Sequence, residues 1–245
     1  MRISLRGRLT RRDVLAGLAA ALTANSTRAT AAPPALPAEV AGVWLPRTPL
    51  SASAIALARS SCPDFLFNHC MRTFLFGALT LKAQRVSFDP QTAFVAAALH
   101  DLGLLPAFSS ARGSFEIDGA NRAEALMREA GREPAEGRLV WNAIVAHDMR
   151  EEYAAHLSPE AQLVGAGAGA DVVDPDGLDR KAVAEVLEAF PRLQFKTRFT
   201  ALLVAHCRRK PTSQIGWLDG LCRATVPDVA RGSVERAIAQ APYSE

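Results

Sequence analysis

Cysteine is scarce in this chain, and its spacing excludes a familiar use. Cys62, Cys70, Cys207 and Cys222 are the only four, and no two stand as C-x-x-C. A cysteine-ligated zinc cluster is therefore disfavoured. An oxidising compartment would allow disulfides, while Cys70 and Cys207, set within apolar helical runs, equally suit buried thiols. Alternating β-branched runs are few, so strands should be incidental. No repeat of about 20–50 residues is visible, which removes solenoids and propellers. After the first thirty residues no apolar run approaches the ~20 residues of a membrane-spanning helix, so no stable membrane anchor is expected. Excess charge is also missing from most of the chain. The formal +3 arises in residues 1–31, which hold six arginines and one aspartate; the remainder holds 22 basic and 24 acidic residues. The folded part lacks the basic patch that nucleic-acid binding requires, so no nucleic-acid partner is expected.

What is present begins with a sorting signal. Thr10-Arg11-Arg12-Asp13-Val14-Leu15 is a twin-arginine pattern, followed by a short apolar segment, Val14–Leu22, and by Ala29-Thr30-Ala31. Charged, apolar and A-x-A parts in that order predict an export signal over residues 1–31. The chain would then meet the twin-arginine export machinery and reach the periplasm or the extracellular space. Five prolines, at 33, 34, 37, 46 and 49, make residues 32–50 read as an extended linker.

Residues 51–245 are long enough for one domain with a real core and read as an all-α single domain, a helical bundle. Ser51 can cap a helix to about Arg59, and Pro63-Asp64 can open a second over Phe65–Ala83. Asp89-Pro90 starts a third that carries His100-Asp101 near its end and stops at Gly103 and Pro106. Residues 104–117 read as a loop, with Asp118 capping a helix over Gly119–Ala130. Glu133-Pro134 opens a helix through His147, and Ser158-Pro159 opens one containing the small residues Gly165–Ala170 before Asp171. Those small residues would let that helix approach its neighbours closely. The last two helices are Arg180–Ala189 and Phe195–Arg209.

Histidine, an adjacent His-Asp pair and a distant aspartate, all on helices, form a metal-site pattern. His69, His100, Asp101 and Asp171 supply two imidazoles and two carboxylates, a donor set that suits a divalent cation. Adjacent His and Asp point ~100° apart on a regular helix, so both reach one ion only if it lies off the helix end. A buried carboxylate without a partner costs several kcal/mol, which favours a partner for Asp101. Arg72, three residues after His69, shares its face and could bind an anionic or polar substrate. A second pair, His147-Asp148, is almost equal by local context, and the residues alone do not rank the two. His206, on an apolar face, reads as a core histidine, and His156 as an exposed one.

Four blocks of sequence bear on that ranking: Asn68-His69-Cys70-Met71-Arg72-Thr73, Ala98-Leu99-His100-Asp101-Leu102-Gly103, Ser114-Phe115-Glu116-Ile117-Asp118-Gly119-Ala120, and Leu163–Val173. Their order resembles the HD superfamily of metal-dependent hydrolases, and more narrowly its cyanamide hydratase branch. The resemblance covers about residues 60–210 and implies an HD-domain helical bundle. It implies that His69, His100, Asp101 and Asp171 bind one divalent metal ion, zinc in cyanamide hydratase, with iron, manganese or a dinuclear site as alternatives. It places His147 where many members have an additional histidine for a second metal or for catalysis. The expected activity is attack of metal-activated water on a small-molecule substrate such as a nitrile, with Asp101 or His147 moving protons and Arg72 or Glu116 orienting the substrate. Two other functions compete with it. One is an HD-type phosphohydrolase, in which Arg72 would bind phosphate. The other is a non-catalytic exported protein that binds a metal or ligand.

Overall fold

The structure is a computed structural model and describes residues 35–149, 153, 156–173, 177–210 and 222. The export signal read over residues 1–31 lies outside them. The described residues from Pro37 onward belong to one compact unit.

Residues 37–50 do not behave as a linker. Glu39–Val40 (β1) and Val43–Trp44 (β2) pair antiparallel, with Val40 opposite Val43. Ala41 and Gly42 between them both have positive φ, 51° and 74°, the conformation that a two-residue hairpin turn demands. Val40, Val43 and Leu45 are buried, so the proline-rich stretch is part of the packed structure. It ends at Thr48, which caps the first helix in a reciprocal box with Ser51, followed by Pro49 at the first helical position.

Eight α-helices follow among the described residues: α1 Pro49–Ser61, α2 Asp64–Gln84, α3 Pro90–Leu99, α4 Phe115–Glu129, α5 Pro134–Val145, α6 Pro159–Val172, α7 Arg180–Ala189 and α8 Phe195–Arg209. The architecture is all-α, as expected. Most starts match their sequence signals: Asp89 and Ser158 each accept a hydrogen bond from the backbone N–H three residues on, and Asp179 caps α7 in the same way. The exceptions are α1, capped by Thr48 rather than by Ser51, and α4. Ser114 caps it, four residues before the expected Asp118, so the preceding loop is shorter than its sequence suggests. Asp118 lies inside the first turn, where its buried carboxylate accepts from Ser110 N at 2.9 Å and from Lys210 Nζ at 2.5 Å.

The core forms around α2 and α3. Every residue of α3 from Thr92 to Leu99 is buried, as expected of a helix apolar on all sides. Helix α6 lies very close to α2, and glycine makes that possible. A Cβ on Gly167 would stand 1.8 Å from the Thr73 carbonyl oxygen, and one on Gly77 would stand 2.1 Å from that of Leu163. This close contact brings Asp171, at the end of α6, beside His69 on α2. Cys207 on α8 is bonded to Cys222, while Cys62 and Cys70 are buried free thiols. No helix among the described residues is long and apolar enough to cross a membrane.

Candidate metal centre

The HD pair occupies the end of a helix. Helix α3 stops at Leu99; His100 keeps helical angles, and Asp101 turns away at φ −97°, ψ 5° into a short 3-10 turn over Leu102–Leu104. Gly103 permits that turn to lie against α4, because any Cβ there would meet the Phe115 carbonyl oxygen at 1.9 Å. The break lets adjacent side chains converge. His100 Nε2 is 3.4 Å from Asp101 Oδ2, His69 Nε2 is 3.3 Å from the same oxygen, and the two Nε2 atoms are 3.3 Å apart.

Protonation follows from the partners on the outer side of each ring. His100 Nδ1 donates to Ala97 O at 2.8 Å, and His147 Nδ1 donates to Ile144 O at 2.6 Å. His69 Nδ1 donates to Asp171 Oδ2 at 2.7 Å. In its neutral form each imidazole, with the outer nitrogen donating, turns the lone pair of Nε2 inward. Asp101 Oδ2 is buried and accepts no hydrogen bond. Three electron pairs facing one another in a buried cluster repel unless a proton or a cation lies between them. A tetrahedral ion with bonds of about 2.0–2.1 Å holds its donors about 3.3–3.4 Å apart, which is the spacing found here. His69, His100 and Asp101 could hold a metal ion.

Asp171 reaches this cluster from behind. Expected as a ligand, it instead bonds the outer nitrogen of His69, and both its oxygens are committed elsewhere. Arg72 holds it in a fork, Nε to Oδ1 at 2.8 Å and a terminal nitrogen to Oδ2 at 2.7 Å, and Arg192 reaches Oδ1 at 2.6 Å. Phe195 stacks on the His69 ring, with centroids 4.8 Å apart. Asp171 thus orients His69, the role a carboxylate commonly plays behind a metal-bound histidine.

Arg72 is also corrected. It is fully buried, and its remaining donors go to the Phe190 and Pro191 carbonyls at 3.0 and 3.2 Å, so it has no reach toward a substrate. Glu116 is buried as well, close enough to Asp148 to feel its charge. It is not among the residues that line the cavity. His147 is at the site: its ring packs edge-on to His100, and Nε2 lies 4.0 Å from Asp101 Oδ1. Arg192 carried no sequence signal, since an arginine after a proline in a loop looks like any surface charge. Asp148 was visible as half of the second His-Asp pair, and it lines the cavity beside His147.

The electrostatics agree with this division. Burial favours a neutral Asp101, but the neighbouring imidazoles outweigh it and hold the carboxyl well below its usual range. Burial likewise raises Asp171, and His69 and Arg72 more than reverse it. His100 is driven down to about 3, chiefly by burial. Burial also lowers His69, yet its contacts with Asp101 and Asp171 prevail, so its pKa lies above that of a free imidazole. Burial and the Asp148 charge push Glu116 up to about 8.

The cluster forms the floor of a cavity of about 210 Å³. Among the described residues its remaining lining is apolar or small apart from His147 and Asp148, with no lysine or arginine. No family model and no curated protein matches this chain.

Proposed function

We propose that the chain is a metal-dependent enzyme of HD type that adds water to a small neutral substrate, a nitrile such as cyanamide being the model compound. The observation that carries this reading is the triangle of buried acceptors on His69, His100 and Asp101, which line a small cavity whose described lining residues include no lysine or arginine. Zinc fits the two-imidazole, one-carboxylate donor set and its spacing. A divalent cation there supplies Lewis acidity, which activates water and polarises the electrophile.

The protein's own groups account for the proton movements. His147 Nε2 carries a lone pair at the cavity wall and can accept a proton from the attacking water as its oxygen joins the nitrile carbon. The same imidazolium returns that proton to the nitrile nitrogen. Transfer of the second water proton from oxygen to nitrogen then leaves the amide, which is urea when the substrate is cyanamide. Asp101 serves as ligand in this scheme rather than as acid. Its depressed pKa favours that role, because it keeps the carboxylate ionised.

A phosphate ester is a poorer fit. Phosphoryl transfer calls for cationic clamps on the transferring group, and the two arginines described beside the cluster, Arg72 and Arg192, both bond the Asp171 carboxylate. Together with the export signal, the reading describes an enzyme that works outside the cytoplasm. The test is a panel assay of zinc-loaded protein on cyanamide, p-nitrophenyl phosphate and nucleotides, with metal content measured in parallel. Turnover of cyanamide alone is expected. Turnover of the phosphate esters alone would overturn the proposal, as would full metal content in both His100→Ala and Asp101→Ala.

A further inference from the structure

Helix α6 carries three glycines whose surroundings differ. Gly167 is forced by the backbone of α2, and a Cβ on Gly165 would be 3.2 Å from the His147 carbonyl oxygen. Gly169 has no such reason. A Cβ built on it meets nothing within 4 Å. Glycine inside a helix costs up to about 1 kcal/mol relative to alanine, so a position without a packing need for it calls for another explanation. Gly169 lines the cavity, between Ala168 and, one turn on, Val172. Phe199 and Leu203, four residues apart on one face of α8, also line it. A side chain at Gly169, a residue that lines the cavity, would thus enter open space, and the same cavity is lined by Asp101, 2% exposed, whose Oδ2 has no hydrogen-bond partner.

We infer that Gly169 keeps open an apolar subsite, and that the substrate carries an apolar substituent which lies along Gly169 beside Phe199, Leu203 and Val172 while its reacting end faces His69, His100 and Asp101. This deepens the proposed function and rests on it for the placement of the reacting end. Cyanamide has only three heavy atoms and no apolar part, so it leaves most of a cavity of about 210 Å³ unfilled. The substrate class is a neutral molecule with an electrophilic head and an alkyl or aryl tail. Val172, at the mouth, remains 43% exposed, so the far end of such a tail can reach solvent.

Alkyl hydroxamates test the subsite without requiring turnover, because the head chelates a metal and the tail reports the wall. Zinc-loaded full-length protein is titrated calorimetrically with acetohydroxamate, butanohydroxamate and hexanohydroxamate. Each added methylene should tighten binding about fourfold, the equivalent of ~0.8 kcal/mol per buried CH₂. Gly169→Leu should flatten the series, and Gly169→Ala should reduce its slope. A flat series in the unaltered protein overturns the inference, and so does a slope unchanged in Gly169→Leu. The metal-free chain is titrated with hexanenitrile, followed by saturation-transfer NMR, as a separate arm. Should no hydroxamate bind, the metal reading fails, and this arm decides the subsite. Binding lost in Gly169→Leu supports the subsite; no binding, or binding unchanged by the substitution, overturns it.

Discussion

Asp171→Asn separates a metal ligand from a group that holds a ligand in place. Asparagine keeps the size of the side chain and one carbonyl oxygen, so part of the Arg72 fork survives. It loses the charge that makes His69 Nδ1 a committed donor, and its amide group can present an N–H where His69 and Arg72 also present N–H. Loss of a partner behind a metal-bound histidine costs roughly 10- to 100-fold in metal affinity, or about 1.4–2.7 kcal/mol. The fold also suffers. Removing one partner of a buried ion pair costs about 3–5 kcal/mol, and the acceptor left by asparagine should keep the loss toward the lower end of that range. Zinc affinity is measured by competition with a chromophoric chelator, and stability by denaturant unfolding of the metal-free protein. His100→Ala, which deletes a donor outright, is the comparison and should bind zinc far more weakly than Asp171→Asn. Equal loss in the two variants would make Asp171 a ligand, and unchanged affinity in Asp171→Asn would show that the Asp171–His69 bond orients nothing. Either result refutes the reasoning.

Other outcomes follow from single observations. Gly167→Ala should destabilise by at least about 1–3 kcal/mol, because its Cβ strikes the Thr73 carbonyl, while Gly169→Ala in the same helix should stabilise by up to about 1 kcal/mol; thermal unfolding of both checks the pair. The raised pKa of Glu116 favours the fold while unfolded glutamate is also protonated, below about 4.5, and that contribution is lost as pH rises toward about 8. Glu116→Gln should therefore show a smaller fall in stability across that window than the unaltered protein, as read from unfolding midpoints at a series of pH values. His69 must lose its extra proton to bind a cation, so zinc affinity should fall tenfold per pH unit below its raised pKa and level off above it. A slope of about one is expected because His100 and Asp101 are already deprotonated there, and competition titrations across pH measure it.

The parts of this molecule legible in sequence are those governed by short-range rules. Prolines and capping residues located the starts of α3, α5 and α6, and the break after His100 was implied by the need of two adjacent side chains to face one ion. The glycines of α6 predicted close packing, and Gly167 against Thr73 is that packing. What was not legible depends on atoms rather than on residues. Asp171 was expected as a ligand because its type and position suit one; that it turns both oxygens to arginines follows from Arg72 and Arg192 arriving from α2 and from the turn before α8. Arg72 shares a face with His69, as the spacing requires, but sharing a face leaves open whether the guanidinium points to the cavity or to a buried carboxylate. The hairpin at 39–44 was hidden by its prolines, which mark the flanks of the turn and not the valines that hold it to the core.

Arg72, Asp171 and His69 also explain how a cluster that opposes folding can be stable. Three acceptors at 3.3–3.4 Å would be driven apart in a pliable site. Here each is fixed from outside: His100 by Ala97 O, His69 by Asp171, and Asp101 by the turn that Gly103 allows. The buried Arg72–Asp171 fork belongs to the same frame, and its stiffness has a use that an apolar replacement would not supply. Without a cation, the nearest relief is a second proton on His69, shared toward Asp101, which is the physical meaning of its raised pKa. A cation relieves the same repulsion and displaces that proton. A metal ion held there would thus take the place of a proton, and the orientation of His69 by Asp171 would serve both states, because in each Nδ1 keeps its hydrogen and only Nε2 changes partner.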